Sequence, residues 1–479
     1  MDAELTLLQI NDTHAYLDAH PELFWSGSGP TYRTVGGFGR IAALVQQVRQ
    51  QQDGRVLLFD GGDTFHGTYP AVQTRGATMI PALNVLGIDA MTGHWDFAYG
   101  PARLHELVAQ LDYPMLAANC YRQDTRELVF PPSVVREAGG LRVGVIGIAA
   151  TIIDKTMPPH FSEGIYLTLG KDELPSAIER LRDEERADLV VVVSHLGFAQ
   201  DLQIAQDVDG IDVLLSAHTH NRVYAPARVN KTLVIQSGCD GSFVGRLDLQ
   251  VGAGGVVDYR HALLTVEESI TPDADVQALV DEALAPYRDM LSEVVGRTDV
   301  ALNRNTVLEA TMDNILLQAL LKQTGARVAF SNGWRYGAPV PAGAVTLNDL
   351  FNIVPMNPPV MTVDMTGEEM WTMLEENIQH TFARDPYEQM GGYLKRMMGL
   401  KLIVKLENPH GQRVQEIFVG DEALDRKQVV PVAFVTEQGV PSKFGTNRQQ
   451  HDIRAVDAMR RLLQHESSGW ELADSVVAV

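Results

Sequence analysis

Cysteine is nearly missing: Cys120 and Cys239 are the only two in 479 residues. A framework of several disulfides is therefore excluded, and the expected state is two buried thiols in a reducing compartment, with a single Cys120–Cys239 disulfide as the alternative. Basic residues are in deficit as well. Only 39 lysines and arginines stand against 61 aspartates and glutamates, a formal charge of -22. That balance argues against a nucleic-acid polymer or an anionic membrane face as partner. It leaves room for a small anionic substrate, because bound cations and one or two arginines reverse the field locally. Long apolar runs are lacking too, since none approaches the roughly 20 residues that span a bilayer. The start, Met1-Asp2-Ala3-Glu4, has no basic stretch. Leu5 to Ile10 is too short for the apolar core of a signal peptide. The expectation is a cytoplasmic chain, or a periplasmic one if a leader has been removed. The sequence contains no internal repeat and no low-complexity tract.

What is present reads as an ordinary folded chain with 45% hydrophobic residues, too long for one core and so expected to form two domains. Up to about residue 265, short apolar strands alternate with helical patterns, as in an α/β domain. Leu5 to Ile10, Val56 to Phe59, Met115 to Ala118, Leu141 to Ile148, Ala187 to Val193, Val213 to Leu215, Leu233 to Ile235 and Gly245 to Leu249 read as strands. Val35 to Gln50, Ala77 to Leu86 and Lys171 to Glu185 read as helices. Residues 266–296 contain one long amphipathic pattern from Pro272, bent near Pro286 and stopped by Gly296, which suits a linker helix. Residues 297–479 mix helices (Thr311 to Gln323, Gly367 to Gln379) with strands (Val328 to Phe330, Leu400 to Lys405, Val429 to Val435), an α+β pattern. Part of Leu347 to Val363 is expected as extended loop, and the tail after Gln464 is expected to fray.

Five apolar runs in the first domain end in Asp, His or both. They lead into Asn11-Asp12-Thr13-His14, Asp60-Gly61-Gly62-Asp63, Gly93-His94-Trp95-Asp96, Ser194-His195 and Ala217-His218-Thr219-His220. Loops at strand C-termini are where α/β folds place ligand sites. Two carboxylates and five histidines arriving there together are what a two-metal hydrolytic centre requires. Asp63, after two glycines that permit a tight turn, is the candidate bridge between the ions. The i, i+2 spacing of Asp12/His14 and of His218/His220 points each pair the same way on extended backbone. Mixed nitrogen and oxygen donors favour Mn, Zn, Fe or Co over Mg or Ca. Such a pair would make hydroxide available near neutral pH for hydrolysis.

In order and in type, these motifs resemble the calcineurin-like metallophosphoesterases of the 5'-nucleotidase family. The likeness continues through Asn332-Gly333 and Asp364-Met365-Thr366-Gly367-Glu368. It implies a four-layered α/β metal domain, a linker helix and a smaller α+β substrate-binding domain of the 5'-nucleotidase C-terminal type. It implies one ion on Asp12, His14, Asp63 and His220 and a second on Asp63, His94, His195 and His218, Mn being the first choice. It also implies a substrate-contacting Arg335 beside Asn332, and an aromatic, Tyr393, stacking on a base. The implied activity is hydrolysis of a phosphate ester, a nucleotide foremost.

The departures carry information. Where the family's usual loop has Gly-Asn-His-Glu/Asp, this chain has His94 and Trp95. An indole cannot stabilise a leaving oxyanion by proton transfer as an imidazole can. His66 and Arg335 are the candidate replacements, with Asp96 as a further candidate catalytic group and Trp95 as a substrate contact. The usual Gly-Asp-Gly-Tyr/Phe is also missing around Thr436 to Phe444. Gly-His-Trp-Asp-Phe-x-Tyr-Gly, Trp334-Arg335-Tyr336-Gly337 and Asp385 to Gly392 resemble instead the sulfur-oxidation thiosulfohydrolases (SoxB), a sister branch. That likeness implies release of a sulfonate from a carrier persulfide. A third expectation is a metal-bound binding protein without turnover.

Overall fold

The computed structural model describes residues 3–479. The chain divides into two compact units, Met1–His20 with Thr34–Pro286, and Pro21–Arg33 with Tyr287–Val479. No helix among the described residues is long and apolar enough to cross a membrane.

The first unit holds two sheets. One runs in the order Gly255–Thr265, Phe243–Gly252, Ala3–Ile10, Val56–Asp60, Ala90–Met91. The other runs Ala227–Val229, Thr232–Ile235, Val213–Leu215, Leu189–Ser194, Leu141–Ile148, Ser133–Ala138. Alternate side chains of both meet in one core, with Leu5, Leu7, Leu57 and Phe59 among those from the first sheet and Val143, Val145, Val191, Val193 and Leu215 among those from the second. Leu189–Ser194 is buried along its whole length, as a central parallel strand must be. Helices cover the outer faces. Leu181 of the Leu174–Asp183 helix packs on Gly144, where a Cβ would come within 2.8 Å of it. The layering is the α/β arrangement expected from sequence.

Register decides what this sheet pair can present. Ile10 pairs with Asp60 and Asp60 with Met91 in parallel ladders, so three strands of one sheet end level with each other. Val193 pairs with Leu215 in the same way in the other. All five loops that carry the predicted ligands leave from these ends.

Several elements differ from expectation. Met115 to Ala118 is not a strand. Its N–H groups are divided between the sheets, Leu116 donating to the Met91 carbonyl and Ala118 to that of Gly147, so no ladder can form. The first helix starts at Phe38, because Gly36 and Gly37 both take positive φ. Ala77–Met79 is a 3₁₀ turn and the α-helix begins at Ile80, with Pro81 in its first turn.

The second unit has a five-stranded sheet ordered Tyr393–Met398, Val328–Gly333, Val429–Phe434, Pro359–Thr366, Thr446–Arg454. The Gly367–Phe382 helix is fixed at its start by a capping box between Thr366 and Glu369. The long helix spans Ala274–Leu291 with Pro286 inside, and the division between units falls just after that proline. Gly296 does not stop it. It lies in the strand Val294–Thr298, where a Cβ would sit 2.6 Å from that of Leu463. Within Leu347 to Val363 the expected loop is found at 354–358, between a helix at Leu347–Ile353 and a strand from Pro359. The tail is ordered. Trp470 is fully buried and donates from Nε1 to Thr298 Oγ1 at 2.9 Å, and Val476–Ala478 pairs with Leu400–Val404. A buried indole and a parallel ladder outweigh the polar Glu466-Ser467-Ser468-Gly469 before them.

Lys395 is a buried amine in this unit, donating to the Gln438 carbonyl. Burial pulls its pKa from 10.5 down to about 8, against the pull of Glu376 and Glu437. Between those two pH values the unfolded chain holds a proton that the folded chain has released, so stability rises with pH across the window. Lys395→Met is expected to be the more stable protein at pH 7. Its advantage should shrink by about 3 kcal/mol as pH passes 10.5, at 1.36 kcal/mol per pKa unit. Urea unfolding at pH 7 and above pH 10 measures this, and an advantage that does not change with pH would contradict it.

Candidate metal centre

The seven predicted ligands meet at the level strand ends. Asp63, His94, His195 and His218 form one group, and Asp12, His14, Asp63 and His220 another, with donor atoms in each group within 4.8 Å of one another. Asp63 belongs to both. Its Oδ1 lies 3.4 Å from His94 Nδ1, and its Oδ2 lies 3.3 Å from His195 Nε2 and 3.7 Å from His14 Nε2. Asp12 Oδ1 lies 3.3 Å from His220 Nε2 and 3.7 Å from His195 Nε2. Six of the seven are buried, and His220 is at the margin.

Hydrogen bonds behind the ligands fix which atom each one offers. His195 Nδ1 lies 2.6 Å from the Gly61 carbonyl and His14 Nδ1 3.2 Å from that of His66. A carbonyl only accepts, so each Nδ1 carries a proton and each Nε2 is the atom turned inward, as in metal-binding histidines. His14 Nε2 and His220 Nε2 stand 3.1 Å apart. Both ring nitrogens of His94 are buried without a hydrogen bond among the described residues. Donors crowded in this way need cations between them, and the set suits two divalent ions.

The electrostatics agree. Burial opposes the charge on Asp63, yet His195 and His94 hold its pKa well below the usual carboxylate range. Burial likewise opposes a charged His195, but Asp63 and Asp12 raise it to about 10. Burial keeps His14 neutral, its pKa lowered to about 4. Positive charge is thus drawn into the middle of the site.

The backbone is shaped for the same end. Asp12, His14, Asp63, His218 and His220 all take positive φ, from 47° to 74°. Each such residue costs on the order of 1–2 kcal/mol, so five ligands are held in a strained form by their surroundings. Gly62 lets two loops touch, since a Cβ there would meet the Thr92 carbonyl at 2.7 Å and Gly93 Cα at 2.8 Å. Gly67 matters for His14. A Cβ at Gly67 would lie 2.3 Å from the His14 carbonyl oxygen, and its φ is +147°. Gly67→Ala is expected to cost about 2–4 kcal/mol in strain and overpacking, and to weaken the ion on the His14 group more than its neighbour. Metal titration of the variant would contradict this by showing both ions at full affinity.

Asp96, expected to be catalytic, is wholly occupied with backbone. It accepts from the N–H groups of Asp63, Thr64, Phe65 and His94 at 2.9–3.1 Å. That set of four clamps two ligand loops together. Trp95 donates its own N–H to Asp63 Oδ1 at 2.6 Å, and its ring stacks on His66 at 4.8 Å and meets Phe161 edge-on at 5.6 Å. His66 is fully buried under that ring, and burial lowers its pKa to about 3. In the second unit, Arg335 lies 5.0 Å over the Tyr393 ring and donates to the Gly392 carbonyl at 3.0 Å. Asn332 precedes Gly333, which pairs with Tyr393. Arg396 faces the same ring at 5.3 Å. Sequence reasoning missed Asn11, whose amide donates to Asp12 Oδ2 at 2.7 Å. The position of Asn11 directly before Asp12 was the available signal for it.

Comparison with known proteins matches residues 5–222 to the calcineurin-like phosphoesterase model and residues 292–435 to the 5'-nucleotidase C-terminal domain. The chain is a calcineurin-like phosphoesterase domain joined to a 5'-nucleotidase C-terminal domain. Metal-dependent phosphoester hydrolysis is the enzyme class that these two domain families indicate. Among curated relatives, the trifunctional nucleotide phosphoesterase protein YfkN of Bacillus subtilis is 25% identical over 462 residues, 86% of this phosphoesterase but only 30% of that protein. The phosphoesterase thus spans less than a third of that relative's length. A 5'-nucleotidase of Diplobatis ommata is 25% identical over 87% of this chain and 77% of its own. Among solved structures, the Thermus thermophilus sulfate thiohydrolase SoxB aligns with a TM-score of 0.89 at 24% identity, over 96% of this chain and 94% of that one. A 5'-nucleotidase precursor, also from Thermus thermophilus, aligns with a TM-score of 0.86 at 22% identity, over 99% of both. At these identities the two structures establish a shared fold.

Proposed function

We propose that this phosphoesterase hydrolyses small phosphate esters, nucleotides first, at a pair of divalent ions, with Mn²⁺ preferred. The observation that carries the reading is the overlap of two four-residue donor groups on a single carboxylate, Asp63. Asp12, His14, Asp63 and His220 would hold one ion and Asp63, His94, His195 and His218 the other. Such a pair polarises a phosphoryl oxygen and lowers the pKa of a water. The protein's own groups supply geometry. The Gly61 and His66 carbonyls orient two imidazoles, the Trp95 N–H fixes one oxygen of Asp63, and Asp96 acts as a positioning residue for both loops rather than as a proton carrier. Arg335, Asn332 and Tyr393, all in the second unit, are the proposed substrate-binding residues. The relatives that act on nucleotides support this substrate class. Mn²⁺-loaded protein is expected to release inorganic phosphate from a panel of nucleotides. Silence across nucleotides and generic phosphate esters would overturn the proposal.

A second reading has its own support. Trp95 beside the ligand His94, stacked on His66, favours sulfonate release from a carrier persulfide, the chemistry implied by the likeness to SoxB. A sulfonated persulfide carrier peptide incubated with the Mn²⁺ protein should then yield sulfate, and no sulfate at any Mn²⁺ level would remove this reading.

A further inference from the structure

A buried polar chain runs beneath the strand ends. Ser237 Oγ donates to Gln9 Oε1 at 2.9 Å, Gln9 Nε2 to the Ser216 carbonyl at 2.7 Å, and Gln236 Nε2 to Ser216 Oγ at 2.9 Å. It ends at Asp201, a fully buried carboxylate on the Phe198–Asp207 helix, whose Oδ1 accepts from Ser194 Oγ at 2.6 Å. Burial raises the Asp201 pKa to about 7, against the opposing pull of the Ser194 and Ser216 hydroxyls, His195 and the Gly197 backbone. Ser194 directly precedes His195, and Ser216 stands two residues before His218.

A fully buried carboxylate is costly to keep charged. Packing alone would be served better by a neutral side chain. Its place gives it another use. It faces the two strand ends that deliver His195, His218 and His220, so its negative charge acts on whatever cations those histidines hold, and its hydrogen bond fixes the residue before one of them.

We propose that Asp201 is a positioning residue for divalent-cation binding, orienting the His195 and His218 loops from below and balancing the charge of the ions. This rests on the reading of the two donor groups as a metal centre.

The test is calorimetric titration of the metal-free full chain with Mn²⁺, alongside its thermal unfolding. Asp201→Asn keeps the shape and removes the charge. It is expected to weaken Mn²⁺ binding at the His195 and His218 group by about 10–100-fold, while the metal-free melting temperature stays level or rises. Ser194→Ala should show a smaller loss in the same direction, and it provides the measurement if Asp201→Asn fails to fold. Wild-type affinity in both variants would overturn the proposal, as would an affinity loss that appears only with a matching fall in melting temperature. A wild-type chain that binds no Mn²⁺ would overturn the metal-centre reading instead, and this inference with it.

Discussion

Asp63→Ala is expected to lose both ions together and to cut phosphate-ester hydrolysis by about a thousandfold or more, given several kcal/mol of charge stabilisation from the ions. The reason is the position of one carboxylate. Oδ1 faces His94 at 3.4 Å, and Oδ2 faces His195 at 3.3 Å and His14 at 3.7 Å. Without it, two sets of imidazoles face each other with less negative charge between them, and two cations held close would repel with nothing to bridge them. His94→Ala offers the contrast. It removes a donor from one group only, so one ion should remain while the rate still falls. Elemental analysis after desalting separates the cases. Two ions retained by Asp63→Ala would mean that Asp63 does not bridge.

Trp95→His is expected to raise the rate on esters with poor leaving groups by about 10²–10³-fold, the usual contribution of a positioned proton donor or charge-stabilising group. An indole N–H donates a hydrogen bond but transfers no proton near neutral pH, whereas an imidazole does. The backbone N–H of residue 95 that holds Asp63 Oδ1 is kept in the variant. What is lost is ring contact with Phe161 and part of the stack on His66. An aryl ester such as p-nitrophenyl phosphate leaves without protonation, so its rate should change little. A gain confined to poor leaving groups supports residue 95 as the neighbour of the leaving oxygen. Equal rates for both substrate types in variant and wild type would place residue 95 away from it.

The candidate ligands were legible because their signal is local. Each is an Asp or His one to five residues past an apolar run, and parallel register then brings those run ends level, Ile10 beside Asp60 and Val193 beside Leu215. The central strands were legible for the same reason, as continuous Val and Leu runs. Half-exposed elements were not. Gly255–Thr265 and Ser133–Ala138 alternate too weakly to read as strands, because their outer faces mix charged and apolar residues. The positioning of Asp96 was hidden as well. Four backbone N–H groups from two loops converge on it, and nothing in a side-chain pattern announces a backbone cradle. The ordered tail was misread because Trp470 finds its partner, Thr298, 172 residues away.

Manganese located by anomalous scattering in crystals of the Mn²⁺-loaded chain tests the account at its root. Two peaks are predicted, one ringed by Asp12, His14 and His220, the other by His94, His195 and His218, with Asp63 reaching both. A single peak at saturating Mn²⁺, or two peaks of which only one touches Asp63, would contradict it.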